Sequence, residues 1–325
     1  MKKLFIENIS PGDEVVDFFL VRSKKVGSTR TGKPYLDLEL QDRTGIATAK
    51  VWDDAEKYDP KFKRGDVIKI KAYAESYRDQ TQIKISQIRL ATENEAIDLA
   101  DFVPATDKDI PAMLEEVKGF IAGIGNRHLA ALLGSFFDDE QFVDGFKNGI
   151  GARNIHHAYR GGLLEHTLQV VKLADSCAAL YPDLDRDILI AMSILHDIGK
   201  IRELASSNEF IYTTEGYLLG HIPIGLQMLD ERIRGIEGFP EELALRAKHI
   251  LISHHGELEF GSPVVPKTPE AIVLHYIDNL DAKTNLILRA IAKDKNETEE
   301  FTEYNRVMER NFYKGQLRGG NEEEG

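Results

Sequence analysis

DILIAMSILHDIGK, residues 187–200, decides what kind of body the chain builds. From Ile188 to Leu195 only Ser193 is polar, so no face of this segment is suited to water. The pattern predicts a helix buried among other helices and ending at His196 and Asp197. A His-Asp pair buried there is costly unless something satisfies it. A divalent cation does so, because imidazole nitrogen and carboxylate oxygen are ligands for Mn, Fe, Co or Zn.

Working outward, seven of the ten histidines lie between residues 166 and 275. GGLLEHTLQVV (161–171) puts His166 on an amphipathic helix with Leu163, Val170 and Leu173. His221 lies in YLLGHIPIG, His254 and His255 in HILISHHGELEF, and Asp278 in AIVLHYIDNLDAK. From residue 160 onward the chain reads as helix after helix, with EFIYT (209–213) the one candidate strand. Core histidines satisfied by neighbours would account for one or two of these, not for the set. His275, three residues before Asp278, is expected to pack or to support a ligand. His249, five before His254, falls on another face, and His128 is expected at the surface. In NIHHAYRGGLLEHT (154–167), Gly161 and Gly162 open a helix. That segment suits either a phosphate held near His157 and Arg160 or a plain turn into the helix.

Residues 13–92 have a different period. YLDLELQD (35–42) and IATAKVW (46–52) alternate strictly, with DEVVDFFLVRSKKV before them and VIKIKAYAESYR and IKISQIRLA after. A polar stretch, residues 53–66, carries a helical turn between the third and fourth strands. Five strands with that insert resemble an OB-fold, a small Greek-key barrel. Alternation turns Leu36, Leu38, Leu40, Ile68, Ile70, Ile83 and Ile85 inward. The other face carries Tyr35, Lys50, Trp52, Lys69, Lys71, Tyr73 and Lys84, with Asp37 and Glu39 among them. Rings that stack on bases and ammonium groups that meet phosphates suit single-stranded nucleic acid. A solvated barrel wall is the plainer reading of the same face.

The organisation expected is therefore multidomain, α and β. Residues 1–92 form a five-stranded OB-fold barrel, 93–149 a linker and helical connector, 150–312 an all-α helical bundle, and 313–325 a disordered tail. Residues 1–92 carry a net +4 and the remainder −17, within a whole-chain charge of −13. A mildly basic module precedes an acidic body. The single cysteine, Cys177, reads as a small core residue, and it allows no intramolecular disulfide. No apolar run is long enough to span a membrane, and a cytoplasmic location is the default. No Walker-type or dinucleotide glycine motif is present, which disfavours ATP use and hydride transfer.

The order His166, His196-Asp197, Asp278 resembles the H…HD…D signature of HD-domain phosphohydrolases. The resemblance implies one metal held by those four residues. His221 and His254 are similar to the added ligands of two-metal HD proteins, with Asp197 as the bridge. His255 is implied as a ligand or as a group facing the phosphate, and Lys200 of HDIGK as a group approaching the phosphate. Catalysis would then fall to Asp197, Lys200 and His255, with two ions activating water for in-line attack. An OB-like barrel followed by a connector and an HD domain opened by HHAYRGGLLEHT resembles the YhaM family of 3′→5′ exoribonucleases. That resemblance spans about residues 5–312 and rests on HHAYRGGLLEHT, HDIGK and SHHGELEFGSPVVPKTPEA. It implies single-stranded RNA, or DNA, as substrate and Mn²⁺ as the usual metal, and a homo-oligomer is compatible with it. The alternatives are an HD phosphodiesterase acting on a small nucleotide, a nucleic-acid-binding protein whose HD domain is inactive, and a dinuclear-iron oxygenase built on the same ligand order.

Overall fold

Strand β1 (Glu14–Ser28) is long enough to serve two neighbours, and this closes the sheet. Its first half pairs with β4 (Val67–Tyr77) and its second half with β2 (Pro34–Asp42), both antiparallel. A register shift between Val21 and Ser23 bends the strand between the two partnerships. β3 (Gly45–Val51) pairs antiparallel with β2 and parallel with β5 (Gln80–Leu90). The resulting order, β1-β2-β3-β5-β4, is a closed barrel with no free edge. The short helix α1 (Ala55–Tyr58) lies between β3 and β4, and Ala55, Tyr58 and Phe62 join the barrel core. The seven aliphatic residues that alternation turns inward are all buried, between 0 and 4% exposed.

This architecture is that of a computed structural model, which describes residues 2–77, 80–92, 95, 97, 98, 101–151, 159–204, 212–294 and 298–315. The described residues form two compact units. One lies within Met1–Ala105 and the other within Thr106–Ala205 and Tyr212–Gly325. The segment expected as a linker is partly structural, since Phe102 packs on Phe18 and Leu20 of the barrel.

The second unit is helical. It runs α2 (Ile110–Ala122), α3 (Arg127–Phe137), α4 (Glu140–Asn148), α5 (Gly162–Leu180), α6 (Arg186–Leu195) and α7 (Lys200–Glu203). It continues α8 (Thr214–Leu219), α9 (His221–Arg234), α10 (Glu241–Ser253) and α11 (Pro269–Lys293). Asp109, Asn126, Asp139, Asp185, Thr213 and Thr268 each accept a backbone N–H at a helix start, which fixes where α2, α3, α4, α6, α8 and α11 begin. α2–α4, expected as a connector, share one continuous core with α5, α6 and α9–α11. Of the residues expected as a tail, Tyr313 bridges to Phe301, and Lys314 is buried with its backbone N–H on Glu300. Residues 316–325, and most of EFIYT, lie outside the described residues. Cys177 is half-buried at the edge of the core rather than within it.

Leu38 is fully buried at the centre of the barrel. Leu38→Ala is expected to lower stability by about 2–5 kcal/mol. The sole tryptophan, Trp52, follows β3 and reports barrel unfolding by fluorescence in urea. An unchanged midpoint would contradict the assigned core.

Candidate metal centre

α6 is buried along its length, from Ile188 to Leu195. It delivers His196 and Asp197 to the interior at 1 and 2% exposure. Four other segments converge there. α5 brings His166, the start of α9 brings His221, the end of α10 brings His254 and His255, and α11 brings Asp278. His166 Nε2 lies 3.1 Å from Asp278 Oδ1, 3.3 Å from His196 Nε2 and 3.6 Å from Asp197 Oδ2. His196 Nε2 lies 3.3 Å from Asp197 Oδ2. The other oxygen, Asp197 Oδ1, faces His221 Nε2 at 3.5 Å and His254 Nε2 at 3.7 Å. Two groups of donor atoms thus lie on opposite oxygens of one carboxylate. His166, His196 and Asp197 are close enough to share an ion, and so are His221, His254 and His255.

The histidines are turned so that Nε2 faces the centre and Nδ1 faces a fixed partner. His166 Nδ1 meets Asp281 Oδ2 at 2.7 Å, and His196 Nδ1 meets the Ser193 carbonyl at 2.9 Å. His254 Nδ1 meets the Leu251 carbonyl at 2.6 Å, and His221 Nδ1 meets Glu203 Oε1 at 3.3 Å. This arrangement turns Nε2 of each ring toward the centre, where a ligand atom would have to stand. His275 lies behind the site, with Nδ1 3.1 Å from the His254 carbonyl.

Whether a cation fits can be judged from the polar atoms. Asp197 Oδ1, His221 Nε2 and His254 Nε2 are buried, and among the described residues none has a hydrogen-bond partner. The 3.5 and 3.7 Å approaches between them are too long to serve. Atoms of this kind carry a desolvation penalty of about 1–3 kcal/mol each when unpaired. A divalent cation satisfies all three at once, and the donor set of imidazole and carboxylate suits it.

Burial pushes the Asp197 carboxyl up, but Lys200, His196 and His221 outweigh it and hold it well below the usual range. Burial also raises Asp278, and the hydrogen bond from His166 reverses this. Burial lowers His166, but Asp278 and Asp281 prevail and lift it to about 9. His254 is driven well below its ordinary value by burial, by His255 and by His196. Lys200, one turn after Asp197, places Nζ 2.5 Å from Asp197 Oδ2. His255 is half-buried, its ring 4.4 Å from His254 and 5.1 Å from His221 between centroids.

Other expected residues fall elsewhere. His157 lies outside the described residues. Arg160 is exposed, and its carbonyl accepts from the Thr106 N–H. Gly161, at φ +81°, has Thr106 and Ile110 about 3 Å from where a Cβ would sit, so its missing side chain serves packing against the start of α2. His249 accepts the Lys267 N–H at Nε2 and belongs to neither donor group. His128 is half-buried edge-on to Phe239, not free at the surface. On the barrel, Tyr35, Lys50 and Trp52 line one groove with Lys25, Tyr77 and Gln82. The Tyr35 and Trp52 rings are 4.8 Å apart. Lys69, Lys71 and Tyr73 belong to β4, on the β1–β5 side, and do not line it. The sequence reading missed Asp281 and Glu203. Asp281 carried a signal, since it repeats Asp278 at a spacing of three on one helix face. Glu203 carried none.

The chain is 38% identical over 306 residues to the 3′-5′ exoribonuclease YhaM of Geobacillus sp. (strain WCH70), covering 93% of this chain and 92% of that protein. It belongs to the YhaM family. The YhaM protein of Bacillus velezensis (strain DSM 23117 / BGSC 10A6 / LMG 26770 / FZB42) is 36% identical over 304 residues, 93% of this chain and 95% of its own length. Residues 163–283 match the HD domain, a family of metal-dependent hydrolases, and the match takes in His166 through Asp278. Residues 20–91 match the family described as OB-fold nucleic acid binding domain. The OB-fold match precedes the HD-domain match, in the order of the barrel and the helical unit.

Gly199 lets α7 lie against the start of α9. A Cβ there would sit 1.9 Å from the His221 carbonyl oxygen and 2.7 Å from the Gly225 nitrogen, both backbone atoms. Gly199→Ala is therefore expected to move His221, costing about 1–3 kcal/mol and weakening divalent-cation binding. Urea unfolding and calorimetric titration with Mn²⁺ measure the two effects. Wild-type values in both would show that the contact is dispensable.

Proposed function

We propose that the chain removes nucleotides from the 3′ end of single-stranded RNA, and of DNA, by metal-dependent hydrolysis with two divalent ions, Mn²⁺ foremost. The reading rests on one observation above all: the two oxygens of buried Asp197 face two separate groups of imidazoles. Membership of the YhaM family supports the substrate and the direction of attack. On this reading His166, His196, Asp197 and Asp278 hold one ion, and His221 and His254 hold the other with Asp197 shared. His255 completes the second group or faces the phosphate. Bound divalent ions supply Lewis acidity and lower the pKa of water.

The chain's own residues do the rest. Burial would raise the Asp197 carboxyl, but Lys200 beside it holds it well below the usual carboxylate range. Lys200 stands beside it with a single ammonium charge, suited to a non-bridging phosphate oxygen. His157 and Arg160 are proposed to meet the substrate phosphates, and the aliphatic wall of α6 keeps bulk water out of the centre. No residue-borne nucleophile is required.

The barrel is proposed to hold the strand, by Tyr35 and Trp52 first, with Lys50, Lys69, Lys71 and Tyr73 adding charge and contact. Lys50 is 2.7 Å from Asp37, and Lys71 is 3.3 Å from Glu14, so their net charge is partly cancelled. Stacking therefore carries more of the affinity than phosphate contact. The domains are proposed as a barrel, a helical connector and an HD body, acting in the cytoplasm, where a single cysteine stays reduced. Among the described residues no helix is long and apolar enough to cross a membrane.

A 5′-labelled RNA strand incubated with the chain and Mn²⁺ should shorten progressively from its 3′ end. Asp197→Ala and EDTA should each abolish the ladder. A strand left intact by the wild type would remove the exonuclease reading and favour a small-nucleotide phosphodiesterase. Trp52→Ala should weaken binding of a long strand by about 1–3 kcal/mol and slow cleavage of a dinucleotide less. Equal losses on both substrates would reject the barrel as the strand-holding element.

A further inference from the structure

We propose that Glu203 and Asp281 are positioning residues for the metal centre, one for each half of it. The assignment rests on the two-ion reading above. The four inward-facing imidazoles are held from behind in two ways. His196 and His254 follow directly on α6 and α10, and each gives its Nδ1 to the carbonyl three residues back, Ser193 and Leu251. That support is built into the helix end and comes with the backbone. At His166 and His221 a support comes from elsewhere in the fold. Their Nδ1 atoms meet carboxylates from other elements, Asp281 on α11 and Glu203 at the end of α7.

Each group of donor atoms around Asp197 therefore contains one imidazole set by its own helix and one set by a carboxylate. The carboxylate does more than aim the ring. A negative partner on Nδ1–H makes Nε2 a stronger donor, and loss of such a partner typically weakens metal binding about 10–100-fold. The two supports are placed differently. Asp281 stands three residues after Asp278, so one face of α11 gives both a ligand and the support of the ligand opposite. Glu203 is 8% exposed and accepts twice from His221, at the backbone N–H (2.9 Å) and toward Nδ1 (3.3 Å). It fixes the first residue of α9 and the plane of its ring together. Neither carboxylate lies among the groups near enough to share an ion.

The test uses the full chain, stripped with chelator and titrated with Mn²⁺ by calorimetry, with electron paramagnetic resonance counting bound ions. Two binding steps are expected for the wild type. Asp281→Asn should weaken one step about 10–100-fold and leave the other. Glu203→Gln should weaken the step that Asp281→Asn spares. Asp281→Glu and Glu203→Asp, which keep the charge, should regain part of the lost affinity, which a mere folding defect would not allow. Two wild-type steps with neither variant changed, or with both variants weakening the same step, would overturn the assignment alone. A wild type that binds one ion would overturn the two-ion reading and the division between halves with it.

Discussion

Asp197 is a carboxylate at 2% exposure, delivered by a helix with no water-facing side, and the interior must supply positive charge to keep it ionised. Lys200, 2.5 Å from Oδ2, supplies it in the protein itself and outweighs the burial. Yet Oδ1 is left without a hydrogen-bond partner among the described residues, as are the Nε2 atoms of His221 and His254 that face it. A buried centre so incompletely satisfied is unusual for a structural network. It is what a cation site looks like from the side of its ligands.

The helical body can be understood from that demand. α5, α9, α10 and α11 each bring one end or one face to the same place, and their remaining faces bury aliphatic side chains in the common core. Caps at the starts of α6 and α11 fix the register of those helices, hence the depth at which His196, Asp197 and Asp278 arrive. Close approach of α7 to α9 at Gly199 sets where His221 stands. A polar network at the opening of α5 continues the pattern. Glu165, next to His166, accepts from Thr106 at 2.5 Å and from Tyr159 at 3.0 Å, with Lys108 at 3.1 Å. The segment before α2 is thereby tied to the helix that carries His166.

Much of this was legible in the sequence, for reasons that also explain what was not. Strict alternation in YLDLELQD and IATAKVW fixes which side chains fill the barrel, because the strand period allows only two faces. It does not say which sector of a closed barrel an outward residue occupies. That is why Tyr35, Lys50 and Trp52 share a groove while Lys69, Lys71 and Tyr73 stand on the β4 side. The histidine and aspartate cluster was legible because buried histidine and aspartate need a cause. Of the carboxylates behind it, Asp281 left a trace in its spacing from Asp278, whereas Glu203 sits 18 residues from His221, and nothing in that spacing announces contact. The same limit applies to His128 and Cys177, where local pattern gave polarity but not the neighbour that half-buries them.

The central claim is that one carboxylate is shared by two ions. Crystals of the full chain grown with Mn²⁺, with diffraction collected at the manganese absorption edge, test it most directly. The account predicts two anomalous peaks on either side of the Asp197 carboxylate. One would be ringed by His166, His196 and Asp278, the other by His221 and His254. A single peak, or a second peak remote from Asp197, would contradict it.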